Sequence, residues 1–304
     1  MECVIVWLLS VLLICLWFYR KRKAPSITLK QQCLKGKVVL ITGASSGLGK
    51  ACCFAFHKYG CKVILCSRTL EELEKVKLEL DEKFIPKPVE KKPSIVFQLD
   101  VTDIDHVGNT IRKITAVCDS KIDILINNAG LDQRGSALAS NLDVYRRIFD
   151  VNLFGQITVT KAVLPYMVAQ RSGHIVGIGS VQSKISVPFR TAYSASKHAS
   201  QGFYDALRPE VHEHNIHVTT VNPGYIKTNI SMNALNGDGS VYGKLDGNQK
   251  NGMEADFVAE EIVNSVVKKE NDVMIAPFLH KIAVWIRFLS PNLYFWIMRK
   301  RAGL

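Results

Sequence analysis

The stretch VVLITGASSGLG at residues 38–49 decides the fold of this 304-residue chain. Its first four residues are apolar, as in a short buried strand, and the glycines that follow end the strand before a helix. A strand that runs directly into a glycine-rich turn and a helix is the opening unit of a dinucleotide-binding α/β fold. In that unit Gly43 permits the tight turn, Gly47 lets the backbone approach a pyrophosphate, and Gly49 lets the helix pack on the strand.

The same turn supplies most of the predicted contacts with a dinucleotide. The N-terminus of the following helix offers free N–H groups and the positive end of the helix dipole to phosphate oxygens. The predicted cofactor-binding residues of the turn are Gly43, Ser45, Ser46, Gly47, Leu48 and Gly49. The alternative is a glycine-rich turn that binds no ligand.

Arg68 stands near the end of the second predicted strand and bears on the choice of cofactor. An NAD-binding site of this architecture places a carboxylate there to hold the ribose 2′-hydroxyl. A guanidinium instead pairs with a 2′-phosphate, which a carboxylate would repel. NADP(H) is therefore predicted, and the alternative is that Arg68 is an ordinary surface charge.

Apolar strands alternate with helices along the rest of the chain. Strands are predicted at residues 38–41, 62–66, 94–99, 122–126, 174–178 and 218–221, and helical stretches such as 69–83 and 141–170 lie between them. This alternation predicts an α/β protein with a single Rossmann-type, doubly wound parallel sheet that carries helices on both faces. One catalytic domain is expected over residues 37–278, preceded by a linker at 24–36 and interrupted by an exposed Pro- and Lys-rich loop at 86–93.

A second motif, TAYSASK at residues 191–197, suggests the chemistry. If residues 191–214 are helical, Tyr193 and Lys197 lie one turn apart on one face. A phenol has a solution pKa of about 10, and a neighbouring ammonium is expected to lower the pKa of Tyr193. Ser180 follows the strand at 174–178, where its hydroxyl can bind a carbonyl oxygen while Tyr193 protonates it. These groups suit ketone reduction or the reverse oxidation; taken alone, the pair could be an ordinary helix-surface contact.

These motifs, together with Asn127-Asn128-Ala129-Gly130 and Asn222-Pro223-Gly224, follow the order and spacing of the short-chain dehydrogenase/reductases. The chain resembles that family over roughly residues 36–270. In its apolar N-terminal segment at residues 4–19, and at residues 188–190, 193–199 and 223–231, it is most similar to the membrane-bound dehydrogenase/reductase member 7 group.

The resemblance implies an active-site tetrad and further cofactor contacts. The tetrad positions are Asn152, Ser180, Tyr193 and Lys197. In the family pattern Lys197 also binds the nicotinamide ribose, Ser180 contacts the substrate and Asn152 supports a proton relay. The pattern further places Asp100 near the adenine, Asn127 beside the cofactor ribose and Thr228 at the nicotinamide carboxamide.

The net charge of +12 is confined to the two ends of the chain. Residues 20–37 contain seven Lys or Arg and no acid, and residues 278–304 contain five and no acid, so the intervening sequence is close to neutral. A nucleic-acid-binding protein would instead carry a basic stripe on the fold itself. Cations that flank apolar segments favour anionic lipid headgroups, so a membrane partner and no nucleic acid are predicted.

Residues 4–19, VIVWLLSVLLICLWFY, are apolar and precede four cations at 20–23. As a helix they span about 24 Å, short against a bilayer core of about 30 Å but suited to the thinner endoplasmic reticulum membrane. No basic region precedes the segment and no small-residue cleavage site follows it, as a removable signal peptide would require. The segment therefore predicts an uncleaved single-pass anchor over residues 1–23. The flanking cations favour a cytosolic domain. A buried core helix is the alternative, and the sequon at residues 229–231 would matter only in a lumenal topology.

Two further clusters have competing interpretations. The histidine-rich residues 212–217 straddle a predicted helix end and the next strand, without a further ligand cluster, so no metal site is predicted. The aromatic and basic segment at 279–304 is interrupted by Ser290-Pro291 and suits an element lying on a bilayer. Packing on a partner in an expected homodimer, or on the domain's own surface, is the alternative for that segment.

The substrate is defined only by class. Residues 225–252 are the expected pocket-covering loop. A mouth facing a membrane favours a lipophilic carbonyl compound, such as a steroid, a retinoid or a glycerolipid ketone. The competing hypothesis is an NADP(H)-binding membrane protein that acts through interactions without turnover.

Overall fold

The computed structural model describes residues 24–83 and 94–303. The anchor predicted at residues 4–19 and the loop predicted at 86–93 lie outside the described residues. Within the two described ranges, no helix is both long and apolar enough to cross a bilayer.

Strands and helices alternate along the chain, as the sequence predicts. In chain order the strands are β1 (Val38–Thr42), β2 (Lys62–Ser67), β3 (Ile95–Gln98), β4 (Ile124–Asn127), β5 (Gln133–Arg134), β6 (Gly173–Ile178), β7 (Ile216–Pro223), β8 (Leu235–Asn236) and β9 (Asp272–Ile275).

The helices, numbered in the same way, cover both faces of the strands. They are α1 (Ile27–Leu34), α2 (Gly47–Lys58), α3 (Leu70–Lys83), α4 (Ile104–Ala116), α5 (Leu142–Phe149), α6 (Gly155–Ala169), α7 (Thr191–Glu210), α8 (Gly247–Lys250), α9 (Ala255–Lys268), α10 (Phe278–Leu289) and α11 (Pro291–Arg301). A π-helical turn at Asp150–Phe154 joins α5 to α6, and short 3₁₀ turns lie at Val181–Ser183 and His212–His214.

Seven of the described strands form one parallel sheet in the order β3-β2-β1-β4-β6-β7-β9. In this sheet β1 pairs on one side with β2, where Val39 faces Val63, and on the other with β4, where Val39 faces Ile124. The strand order therefore reverses between β1 and β4, and ligands of open α/β sheets bind beyond the carboxyl ends of the strands at this point. The predicted doubly wound fold is confirmed.

Both faces of the sheet are buried, because successive side chains of a strand point to opposite sides. In β1, Val39 and Ile41 pack with α2, α3 and α9, whereas Val38 and Leu40 pack with α4, α6 and α7. The sheet thus lies between two apolar layers, as the near-continuous apolar strands predict.

The structure differs from the sequence-based expectation in three regions. The helix expected over residues 141–170 is divided by the π-helical turn, and strand β9 lies outside the predicted strands. The expected linker at 24–36 contains α1, which packs on the domain: Leu34 is buried, and Lys30 Nζ lies 2.5 Å from Glu260 Oε1 on α9. These contacts join residues far apart in the chain, so the local composition of α1 gave no sign of them.

Helices α10 and α11 form a hairpin beside the segment that follows Ser180. The buried Tyr294 donates its hydroxyl hydrogen to the carbonyl oxygen of Ser186 and packs with Val181 and Ile185. The outer face of the hairpin is apolar and exposed. Its exposed apolar side chains are Phe278, Leu279, Trp285, Phe288, Leu289, Leu293, Phe295 and Trp296.

Candidate active site

The turn between β1 and α2 is too tight for side chains at two of its glycines. Gly43 has a φ of +65°, a left-handed conformation that glycine adopts without penalty. A Cβ atom on Gly49 would lie 2.1 Å from the carbonyl oxygen of Gly43. The close approach of helix to turn predicted for Gly49 is therefore present.

Asn128 holds this turn against β4, a role that the sequence did not reveal. Its Nδ2 donates to the carbonyl oxygens of Thr42, at 3.0 Å, and Gly43, at 3.2 Å. In return, Thr42 Oγ1 accepts the backbone N–H groups of Asn128, at 3.0 Å, and Ala129, at 3.1 Å. The motif at residues 127–130 thus fixes the shape of the glycine turn.

The N-terminus of α2 has the features of a phosphate cradle. Ser46 is the N-cap residue, and within the described part of the chain its side chain makes no capping hydrogen bond. The first N–H groups of α2 are therefore not capped by that hydroxyl. Gly47 faces Thr228, since a Cβ atom on Gly47 would lie 3.2 Å from Thr228 Cγ2. This brings Thr228 to the glycine turn, together with Ser45, Ser46 and Leu48.

Other predicted cofactor residues differ in how accessible they are. Arg68 is exposed just after β2, where its carbonyl oxygen accepts from Gln98 Nε2 at 2.8 Å. Asp100 is half-buried and accepts from the Thr102 backbone N–H and hydroxyl.

Asn127 is buried and directs its amide into the protein. Its Nδ2 donates to Thr160 Oγ1, at 2.8 Å, and to the Tyr204 hydroxyl, at 3.0 Å. The side chain therefore joins β4 to α6 and α7, which differs from the open position expected beside a ribose. Contact between this side chain and a cofactor stays a prediction.

Ser180 and Tyr193 meet at the carboxyl end of β6. Tyr193 lies on the first turn of α7, is 7% exposed and forms a hydrogen bond with the Ser180 hydroxyl. Ser180 is held from both sides: its Oγ accepts the Gln182 N–H at 3.1 Å, and its own N–H donates to Asn222 Oδ1 at 3.2 Å. The predicted pair of hydroxyls is therefore present, and the two groups are neighbours.

Lys197 lies one turn after Tyr193, as predicted. Its Nζ is 5.7 Å from the centre of the Tyr193 ring and donates to the carbonyl oxygen of Ile178 at 2.9 Å. Burial lowers the pKa of Lys197 to about 8, although the Asp132 carboxylate opposes this change.

Asn152 enters the site from the π-helical turn, an irregularity often found at functional sites. Its Oδ1 accepts the Leu131 N–H at 2.7 Å, and its Nδ2 donates to Ser196 Oγ at 3.0 Å. A Cβ atom on Gly130 would lie 3.5 Å from Asn152 Oδ1 and 3.8 Å from Lys197 Nζ, so these two side chains flank the same small space. The structure thus brings all four predicted tetrad residues together.

Comparison with known proteins identifies the family of the chain. The model of the short chain dehydrogenase family matches residues 37–238. The chain belongs to the short-chain dehydrogenase/reductase family of oxidoreductases. Dehydrogenase/reductase SDR family protein 7-like of Anopheles gambiae is 48% identical over 269 residues, which cover 88% of this chain and 84% of the mosquito protein. Dehydrogenase/reductase SDR family member 7B of Rattus norvegicus is 43% identical over 295 residues, 97% of this chain and 90% of the rat protein.

Among solved structures, the fold is similar to a short chain dehydrogenase/reductase from Burkholderia phymatum in complex with NAD. The TM-score is 0.74 at 21% identity, over 86% of this chain and 95% of the bacterial one. At this identity the likeness shows the fold alone.

In this short-chain dehydrogenase/reductase a group of buried charges lies beside Tyr193, and sequence reasoning missed it. The group comprises Asp132, Arg134, Arg190 and Asp246, which pair with one another. Arg190 lies three residues before Tyr193, but its carboxylate partners are far away in the sequence. The only local signal was the presence of charged residues directly after residues 127–130 and directly before the 191–197 motif.

The net shift of the Tyr193 pKa is opposite to the decrease that the neighbouring ammonium was expected to produce. Burial, followed by the Asp132 carboxylate, raises the pKa of Tyr193 well above its ordinary value. The hydrogen bond with Ser180 and the guanidinium groups of Arg190 and Arg134 oppose this increase but do not outweigh it. Desolvation has the largest effect on the pKa of Tyr193, because the charged phenolate is disfavoured in a site from which water is excluded. At neutral pH Tyr193 is therefore a protonated phenol, the form that can donate a proton.

Replacement of Lys197 by Met tests how much stability the buried ammonium costs. Because the pKa of Lys197 is about 8 when folded and 10.5 in its ordinary state, the unfolded chain binds more protons between these values. Lys197 therefore destabilises the folded state most below pH 8, and this destabilisation decreases as the pH rises toward 10.5. We expect Lys197→Met to unfold at higher urea concentration than the wild type at pH 7, by on the order of 2 kcal/mol, with most of this advantage gone near pH 9.5.

The matched control is Lys62→Met, which removes a surface hydrogen bond from Nζ to the carbonyl oxygen of Val117 at 2.9 Å. The stability difference between Lys62→Met and wild type should stay the same at both pH values. A Lys197→Met variant that is less stable than wild type by equal amounts at both pH values would contradict the prediction.

Proposed function

We propose that the chain is an NADP(H)-dependent oxidoreductase that interconverts a ketone or aldehyde and an alcohol on a lipophilic substrate. The observation that carries the proposal is the convergence of Asn152, Ser180, Tyr193 and Lys197 at the carboxyl end of the sheet. A protein that only bound the dinucleotide would need the glycine turn but not this set of proton-handling side chains.

A nicotinamide dinucleotide fits the residues present. The glycine turn has no room for a side chain at Gly49, and the first N–H groups of α2 are not capped by the Ser46 hydroxyl, as a pyrophosphate site requires. When bound, the dinucleotide supplies the hydride that the carbonyl carbon receives. The Burkholderia phymatum structure contains NAD, so our choice of NADP(H) rests on the exposed Arg68 at the end of β2.

The side chains of the protein then donate one proton to the substrate and replace it. Tyr193 donates its hydroxyl proton to the carbonyl oxygen, and Ser180 holds that oxygen in place through its own hydroxyl. Lys197, whose Nζ donates to the carbonyl oxygen of Ile178, stabilises the phenolate left behind and would also bind a ribose hydroxyl of the dinucleotide. Asn152 supports the route by which a new proton returns to Tyr193, through the space it shares with Lys197 beside Gly130. Alcohol oxidation uses the same groups in reverse.

The surface around the site supports the proposed substrate class. The α10–α11 hairpin has an exposed apolar face and no acidic residue, and it carries five cations: Lys281, Arg287, Arg299, Lys300 and Arg301. We infer that this face lies on an anionic bilayer, which in the cell is that of the endoplasmic reticulum. Because Tyr294 fixes the hairpin to the segment after Ser180, a steroid, retinoid or glycerolipid ketone would reach the site from the membrane.

The central test is transfer of deuterium from NADPH that carries the label at the reacting carbon. Membranes that contain the full-length protein are compared with membranes that contain Tyr193→Phe, and their lipids are analysed by mass spectrometry. We expect label in one lipid alcohol with the wild type and at least a 100-fold decrease with Tyr193→Phe, because the phenol supplies the proton. NADPH binding should be retained in both.

The outcomes of this experiment separate the two hypotheses. Equal labelling by wild type and Tyr193→Phe would contradict the assignment of Tyr193 as the proton donor. NADPH binding without label transfer, and without alcohol oxidation by NADP⁺, would favour a dinucleotide-binding protein that acts through interactions.

The role of Arg68 is tested by cofactor titration. We expect Arg68→Ala to weaken NADPH binding about tenfold and to leave NADH binding nearly unchanged, because only NADPH carries the 2′-phosphate. Fluorescence titration of the full-length chain measures both affinities. The control is Arg112→Ala, which removes an exposed arginine from α4. Equal weakening for the two cofactors would show that Arg68 does not select between them.

Bilayer contact by the hairpin is tested with its own tryptophans. In a chain with Trp7→Phe and Trp17→Phe, only Trp285 and Trp296 remain of the four tryptophans. We expect their fluorescence to be quenched in vesicles of phosphatidylserine and phosphatidylcholine brominated along its acyl chains, because the apolar face enters the lipid. Vesicles without bromine are the control. Unquenched fluorescence would contradict the proposal, and in a dimeric sample it would assign the face to a second copy of the chain.

A further inference from the structure

The four buried charges beside Tyr193 form a closed, electrically neutral quartet. Arg190 donates to Asp246 Oδ2 at 2.7 Å and lies 3.7 Å from Asp132 Oδ2. Arg134 lies 3.3 Å from the same Asp246 oxygen and also pairs with Asp132. The exposed fractions of the four side chains are 3% for Asp132, 10% for Arg134 and for Arg190, and 16% for Asp246.

The quartet joins three segments that are distant in the chain. Asp132 and Arg134 lie at β5, Arg190 lies at the start of α7, and Asp246 belongs to the segment 225–252 that we expect to cover the substrate. Asp246 is itself fixed, because its Oδ1 accepts the Asn248 N–H at 2.8 Å and its own N–H donates to Ser231 Oγ at 3.1 Å. The covering segment is therefore attached to the helix that carries Tyr193.

The position of Arg190 in the quartet requires an unfavourable backbone conformation at the residue before it. The residue before it, Phe189, has a φ of +64°, a left-handed conformation that is unfavourable for a bulky side chain. The neighbouring carbonyl group of Phe189 accepts the Gly135 N–H at 3.1 Å, which ties this turn to β5. Such strain persists only where the surrounding structure maintains it, and it occurs most often at functional sites.

Stability alone does not explain the quartet. Withdrawing charged groups from water is costly, most of all for the buried Asp132 and Arg190, and apolar side chains of similar size would hold the same segments together at least as well. What apolar side chains would not provide is an arrangement of charges around the neighbouring phenol.

We propose that the quartet is a positioning device for proton transfer at Tyr193, in which Arg190 and Asp132 act with opposite sign on the charge that develops on its oxygen. The inference rests on the proposed function. When Tyr193 gives up its proton, the phenolate is favoured by the guanidinium groups of Arg190 and Arg134 and disfavoured by Asp132. Lys197 from α7 and the Ser180 hydroxyl complete the groups around it, and Asp246 holds the two guanidinium groups in place.

The test compares two substitutions that weaken the same contact. Both Arg190→Gln and Asp132→Asn remove one member of the pair separated by 3.7 Å. If the quartet were only structural, the two variants would change activity in the same direction. An electrostatic role instead predicts opposite shifts, because one variant removes a positive charge near Tyr193 and the other removes a negative charge.

The measurement is the pH dependence of cyclohexanol oxidation by the full-length protein at saturating NADP⁺. The rate rises with pH as Tyr193 becomes a base. We expect this rise to move about one pH unit higher in Arg190→Gln and about one unit lower in Asp132→Asn. Arg190→Lys, which keeps the charge, should restore most of the wild-type profile. The control is Arg208→Gln, which breaks the ion pair with Asp205 near the other end of α7 and should leave the profile in place.

The same comparison is made without turnover by nuclear magnetic resonance of tyrosine labelled with ¹³C at Cζ. The Tyr193 signal is assigned by its absence from Tyr193→Phe. Near pH 11 we expect the ionised fraction of Tyr193 to be largest in Asp132→Asn, intermediate in the wild type and smallest in Arg190→Gln. Shifts in the same direction, or equal ionised fractions, would overturn the proposal. A wild-type protein without turnover but with the expected ranking would contradict the proposed function, while the opposite effects of Arg190 and Asp132 on the ionisation of Tyr193 would stand.

Discussion

The close contact between helix α7 and strand β6 determines the geometry of the whole site. A Cβ atom on Gly177 would lie 2.1 Å from the ring of Tyr204, so only glycine at this position allows α7 to approach the strand so closely. The Tyr204 hydroxyl then bonds to Asn127 of β4 and Gln156 of α6, which fixes the helix in register. As a result Lys197 reaches the carbonyl oxygen at the end of β6, and Tyr193 reaches the serine two residues beyond it.

This packing also removes water from the site, and its electrostatics follow from that. Burial shifts the pKa of Lys197 downward and that of Tyr193 upward, so at neutral pH both groups are held closer to their uncharged forms than in solution. In such surroundings nearby charges act strongly because solvent screens them little. A neutral quartet beside the phenol can therefore tune proton transfer without adding net charge to the interior.

Residues 225–252 and the α10–α11 hairpin are tied to this site by a small number of polar contacts. Asp246 attaches the covering segment to Arg190, whose guanidinium lies 5.6 Å from the centre of the Tyr225 ring. The Tyr225 hydroxyl in turn accepts a hydrogen bond from Arg301 on α11, at 3.2 Å. A continuous set of contacts thus runs from α7 through residues 225–252 to the apolar hairpin, which joins the proposed proton donor to the surface proposed to meet the bilayer.

The sequence by itself determined the doubly wound sheet and the glycine turn, because apolar runs and glycine spacing are patterns within a few residues. Helical spacing also placed Tyr193 and Lys197 on one face, whereas Asn152 was predicted only through the resemblance to a family. Tertiary structure alone decided the roles of Asn128, Asp132, Arg134, Arg190 and Asp246, the packing of α1 and the direction of the Tyr193 pKa shift. The physical reason is the same in each case. Burial and charge pairing are set by residues that are distant in the chain, and a local pattern does not record which side chains will meet or how much water remains between them.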